Sequence, residues 1–152
     1  MSDHTLLIAV QTIIENNTRT IRNKQVILDT ELALLYEVTI EYLRKRVKKE
    51  NARLPKDFMF QLTQEEYNKI TTNTATKQLP YAFTEGGIMM LGGILKTPKA
   101  NKIHLQVIDY FVQLYKEALQ IKEVMEKLNQ YKNDEETKEI FTVLEHMITT
   151  KK

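Results

Sequence analysis

Read for the spacing of its apolar positions, the chain resolves into a series of short amphipathic pieces followed by one long one. Residues 5–14, TLLIAVQTII, are apolar almost throughout. Leu6, Val10 and Ile13 fit a helical stripe, with a buried strand as the alternative, and the polar patch Glu15 to Thr18 ends the segment. Residues 20–28, TIRNKQVIL, are β-branched at both ends around Asn23-Lys24, which predicts a small hairpin with Arg22 and Lys24 near its tip. Asp29 is placed to cap a helix in which Leu32, Leu35 and Tyr36 recur at helical spacing, with Glu31 in its positive first turn. Glu37-Val38 form a turn and Thr39 caps a second helix, whose Ile40, Leu43 and Val47 lie on one stripe facing the first.

After Pro55 the pattern changes period. Phe58, Phe60 and Leu62 alternate as in a half-buried strand. Thr63 and Glu66 form a capping box that opens a short helix. Residues 71–78, TTNTATKQ, read as a surface loop whose hydroxyls and amides are within the repertoire of phosphate contacts. Leu79 to Phe83 return as a strand able to pair with residues 58–62, and Thr84 caps a helix containing Gly86, Gly87, Gly92 and Gly93. Each glycine costs a helix about 1 kcal/mol relative to alanine, so close packing against a neighbouring backbone is expected there.

Thr97-Pro98 starts the long helix, with proline at the first position, where it has no amide to lose. Val107, Phe111, Leu114, Ala118, Ile121, Met125 and Leu128 then alternate steps of four and three, the signature of a left-handed coiled-coil seam. Asn133 and Glu136 are placed to cap a last helix bearing Ile140, Leu144 and Met147. The remaining chain offers too few partners to cover these stripes. The expectation is therefore self-association, as a homodimer or higher homo-oligomer, through Leu114, Ala118, Ile121, Met125, Leu128, Ile140, Leu144 and Met147. The fold class expected is α+β: a small helix-turn-helix domain with short β-hairpins over residues 18–115, preceded by an apolar segment 1–17 and followed by a helical oligomerisation tail 116–152.

Charge sharpens this picture. The net charge is only +2, but residues 19–56 hold ten basic and five acidic side chains, seven of the basic ones within residues 44–56 against Glu50 alone. Residues 117–147 instead hold eight acidic and four basic side chains, so a polyanion is steered to the first region and repelled by the second. Around the second helix, Tyr42, Lys45 and Lys49 project away from the apolar stripe with Arg46 and Arg53 beside them, while Arg44 and Lys48 flank the other edge. That arrangement suits a recognition helix in the major groove of double-stranded DNA. Tyr42, Lys45, Arg46 and Lys49 would face the bases, Arg44, Lys48 and Arg53 the phosphates, and Arg22 and Lys24 the backbone nearby. About six phosphate contacts would make log K fall against log salt with a slope of roughly −5. A solvated amphipathic helix is the alternative, but its polar face would ordinarily mix signs.

The ordered blocks TIRNKQVILDTELALLYEV, RLPKDFMFQLTQEE and LPYAFTEGGIMML resemble the phage antirepressor-type DNA-binding domain called the ORF-six-N-terminal domain, a relative of the KilA-N domain. The resemblance covers about residues 18–115. It implies a small α+β domain of phage and prophage-derived regulatory proteins that binds DNA, with the helical extension such proteins often carry. Family members commonly have glycine where this chain has Glu37, and a longer basic, glycine-rich loop where it has TTNTATKQ.

Other chemistries lack their parts. With no cysteine, disulfides, thiolate metal sites and a cysteine nucleophile are excluded. His4, His104 and His146 are far apart, and no metal, cofactor or catalytic constellation is expected. Nothing reads as a membrane span or secretory signal, and the location expected is cytoplasmic. Two functions compete. The first is a DNA-binding regulator; the second is an antirepressor that binds a repressor protein through its helical tail without touching DNA.

Overall fold

The computed structural model describes residues 3–72, 78–130 and 135–149; of residues 3, 135–137, 140 and 141 only the backbone is described. The chain divides into two compact units, Met1–Tyr110 and Phe111–Lys152. In order, the elements are α1 (Asp3–Asn17), β1 (Arg19–Ile21), β2 (Lys24–Leu28), α2 (Asp29–Leu35), α3 (Ile40–Lys49), a 3-10 turn (Asn51–Arg53), β3 (Met59–Gln61), α4 (Gln64–Ile70), β4 (Tyr81–Phe83), α5 (Glu85–Ile94), α6 (Pro98–Asn129) and α7 (Glu135–Thr149). The fold is α+β as expected. Residues 5–14 form helix, not strand.

The four strands make one antiparallel sheet in the order β1-β2-β4-β3. The β1-β2 hairpin turns on Arg22 and Asn23, both with positive φ (55° and 61°), and Lys24 already belongs to β2. The expected turn at Asn23-Lys24 is thus one residue too late. Two consecutive left-handed residues match the right-handed twist of a tight hairpin. β4 pairs with β3 as foreseen and also with β2, Ile27 opposite Phe83 and Leu28 opposite Ala82. One buried cluster therefore joins Val26, Leu28, Leu62 and Ala82, with Ile21, Phe60 and Tyr67 packed against it.

On the other side of β2, α1 contributes Val10 and Ile14, α2 contributes Leu32, Leu35 and Tyr36, and α3 contributes Leu43 and Val47, all buried. The Tyr36 hydroxyl donates to the Ile88 carbonyl at 3.1 Å, and burial pushes its phenol pKa well above the ordinary value. Asp29 does not cap α2. It is the helix's first residue and is fully buried, while the cap position is Leu28, whose amide donates to the Glu31 carboxylate at 3.1 Å. Thr84 precedes α5 at the cap position, yet its hydroxyl points to the Asp57 and Phe58 carbonyls instead of the helix amides.

Crowding explains Gly86, Gly87 and Gly92 of α5, whereas a Cβ on Gly93 would meet only His104 at 3.9 Å. A Cβ on Gly87 would overlap the Phe58 carbonyl oxygen, and one on Gly92 would overlap the His104 ring, which itself meets the Met89 carbonyl at 2.8 Å. Thr97 caps α6 through the Ala100 amide at 3.0 Å, and Pro98 is the first helical residue. Within the second unit, Leu114, Ala118 and Ile121 of α6 are exposed, with Met125 and Leu128 half-buried. On α7 Leu144 is half-buried and Met147 exposed. The side chain of Ile140 and the proposed cap at Asn133 lie outside the described residues, as do loop residues 73–77. Among the described residues, no helix is long and apolar enough to cross a membrane.

Candidate nucleic-acid interface

α2 and α3 meet at a sharp corner, and the corner has a definite cause. The Val38 amide reaches back to the Ala33 carbonyl at 3.0 Å and the Glu37 amide to the Leu34 carbonyl at 3.2 Å, which forces Glu37 to φ 55°. A residue with a Cβ adopts that conformation at a cost on the order of 1 kcal/mol. The Glu37 carboxylate lies 3.1 Å from the Lys99 ammonium. Thr39 then opens α3 by accepting the Tyr42 amide at 3.1 Å, and Glu41 and the last-turn cations complement the helix dipole. Leu43 and Val47 anchor one side, and the polar side divides into two kinds of residue.

The first kind is tethered. Arg44 donates from Nε to the buried Asp29 carboxylate at 2.9 Å and from Nη2 at 3.4 Å, so the only buried charge among the described residues is met by a guanidinium. Arg46, 12% exposed in its side chain, donates to the Ile94 carbonyl at 3.2 Å and to Glu50 at 3.2 Å. The Tyr42 hydroxyl accepts the Lys96 amide at 3.1 Å. These three side chains bind α3 to α2 and to the end of α5. The expectation of one outward-facing basic set is corrected to that extent.

The second kind is open. Lys45, Lys48 and Lys49 are exposed and have neither a hydrogen bond nor an ion pair among the described residues. Arg53 is 68% exposed and lies 3.5 Å from Glu50, which it shares with Arg46. Glu41, one turn before Lys45, is the acid on this face.

The hairpin cations are differently placed. Arg22 forms a two-pronged contact with Glu66 at 2.8 Å, donates to the Gln61 carbonyl at 3.3 Å and lies 4.2 Å over the Phe60 ring. That guanidinium, with the Thr63 amide, holds the Glu66 carboxyl down at about 2, and Glu66 in turn raises the Arg22 pKa. Lys24 stands 3.8 Å from Asp57. Glu66 also completes the capping box foreseen with Thr63, accepting the Thr63 amide at 2.9 Å while its own amide reaches the Thr63 hydroxyl at 3.1 Å.

Beside α3 a cleft of about 510 Å³ opens between that helix and the sheet. Arg44, Lys45, Lys48 and Asn51 line it on the helix side, and Met59, Tyr81 and Phe83 on the strand side. The spacing of the sequence pointed to none of these strand residues, because the cleft depends on β3 and β4 lying beside α3.

A family model described as the ORF6N domain matches residues 16–94, which include α2, α3 and all four strands. No curated protein and no solved structure matches the chain.

Proposed function

From the premise that this chain belongs to the ORF6N domain family, a phage-type family, we propose that it is a DNA-binding regulatory protein of phage or prophage type, without catalytic activity, acting in the cytoplasm. α3 approaches the duplex as the second helix of a helix-turn-helix. The observation that carries the reading is the trio Lys45, Lys48 and Lys49: three neighbouring cations without an ion pair among the described residues, on a helix whose arginines are spent on holding it in place. An ammonium is a point charge suited to phosphate oxygens, and phosphate contacts supply most of the affinity of such a protein. Arg53 adds a fourth contact, while Arg22 and Lys24 serve the hairpin.

Four contacts per protomer give a salt slope of roughly −4. Titrating a fluorescent duplex at several salt concentrations tests the proposal: binding that ignores ionic strength would rule it out. The tail supplies the second protomer. Leu114 and Ile121, at 42% and 38% exposure, lie on the four-three repeat of α6, and a homodimer through that seam would present two copies of α3 to a two-fold site.

The exposed apolar residues of the second unit also favour a second reading, in which the tail captures a repressor protein and DNA is not touched. Retention of a repressor by the full chain, together with no shift of any duplex, would select that reading.

A further inference from the structure

The cleft beside α3 combines two chemistries that seldom occur together on a surface meant only for a duplex backbone. Its rim is cationic. Lys45 and Lys48 are exposed and without partners among the described residues, and Asp29, the acid in the lining, is fully buried and neutralised by Arg44. Its interior is apolar and partly aromatic. Val47 faces it on the helix side and the half-buried Met59 and Tyr81 on the strand side, with Leu43 and Phe83 fully buried behind them. The Asn51 amide adds a donor and an acceptor at one end. At about 510 Å³ the space falls within the range of small-molecule sites.

A phosphate alone would use the rim and leave the interior wet, and an uncharged aromatic would leave the lysines unmatched. A molecule that meets both carries an anionic group on a planar apolar body. The bases of a duplex are stacked and paired, so the aromatic group free to enter is one on a small ligand.

We infer that this cleft binds a free mononucleotide, its phosphate on Lys45 and Lys48 and its base between Val47, Met59 and Tyr81, and that this ligand competes with DNA. The competition rests on the proposed DNA-binding role, because it follows from both ligands requiring the same two lysines. The binding itself does not.

The test uses the full chain, labelled with nitrogen-15, and adenosine 5′-monophosphate as probe. Saturable shifts of the Lys45, Lys48, Asn51 and Tyr81 amides are expected, at concentrations at least tenfold lower than adenosine or inorganic phosphate require. Tyr81→Ala should abolish the preference over phosphate. If that variant misfolds, the surface substitution Lys48→Gln should weaken the nucleotide at least fivefold. In the same buffer, saturating nucleotide should raise the apparent Kd of a 20-base-pair duplex at least fivefold, whereas phosphate of equal ionic strength should not. Absence of saturable shifts, or equal shifts with phosphate and nucleotide, overturns the site. Nucleotide binding that leaves duplex affinity unchanged overturns the competition. Nucleotide binding by a chain that binds no duplex upholds the site and defeats the DNA-binding role, so the two ideas fail separately.

Discussion

The tip of the β1-β2 hairpin and the outer face of α3 are both rich in cations, and they could hardly differ more in what those cations are doing. At the hairpin, Arg22 is gripped by Glu66, by a backbone carbonyl and by an aromatic ring, and Lys24 has Asp57 nearby. On α3, Lys45, Lys48 and Lys49 have no such partner among the described residues. α3 repeats the contrast within itself, because its arginines are anchored and its lysines are not. A planar guanidinium with five donors is suited to fixed carboxylates and carbonyls, whereas an ammonium on a flexible stem is suited to a mobile polyanion. Counting positive charges thus overstates a binding surface wherever the fold has already used them.

The largest expected effect comes from attacking an anchored cation. Arg44→Ala strands Asp29 as a buried charge and should cost about 3–5 kcal/mol in urea unfolding. Lys45→Ala should stay within about 0.5 kcal/mol of the parent. Equal losses from the two would erase the distinction between anchored and open cations. Next, replacing Lys45, Lys48 and Lys49 together by alanine should reduce the salt slope of duplex binding by roughly 3 per bound protomer, about 1 per phosphate contact, while the far-ultraviolet spectrum stays unchanged. A slope left intact would move the interface elsewhere.

The hairpin offers a third comparison, through pH. The folded Glu66 carboxyl titrates near 2, below the usual 4.5, so its contribution to stability is complete above the usual value and is lost as pH falls from 4.5 toward 2. Arg22→Ala should return the Glu66 titration toward the ordinary range, seen in its side-chain carbon-13 shift, and leave duplex affinity unchanged. A fall in affinity would return the hairpin to the interface. The smallest expected effect is that of Glu41→Gln. Removing the acid one turn from Lys45 should strengthen duplex binding about twofold, the order of an exposed i,i+4 charge interaction, measurable by anisotropy at low salt.

Much of the architecture was legible from local pattern. Leu43 and Val47 marked the inner side of α3, Thr39 and the Thr63/Glu66 pair marked helix starts, and Thr97-Pro98 marked the start of α6. These features act within one or two turns, and spacing reports them. What spacing could not report was which distant groups would claim the basic residues of α3. Arg46 meets the backbone carbonyl of Ile94 and Tyr42 the backbone amide of Lys96, 48 and 54 residues on, and backbone groups leave no trace in side-chain composition. Asp29 looked like a cap because aspartate before an apolar stripe usually is one. Its role as the acceptor for Arg44 required α3 to fold back over the start of α2. The cleft walls from β3 and β4 were hidden for the same reason.

The left-handed backbone at Glu37 has a consequence for synthesis. A φ of 55° is the mirror image of an ordinary helical value. Chemical assembly with the D-enantiomer of glutamate at that single residue would therefore suit the corner better than the natural stereoisomer does, and the same substituent anywhere inside α2 or α3 would disrupt it. The corner that presents α3 is thus held against the stereochemical preference of one residue.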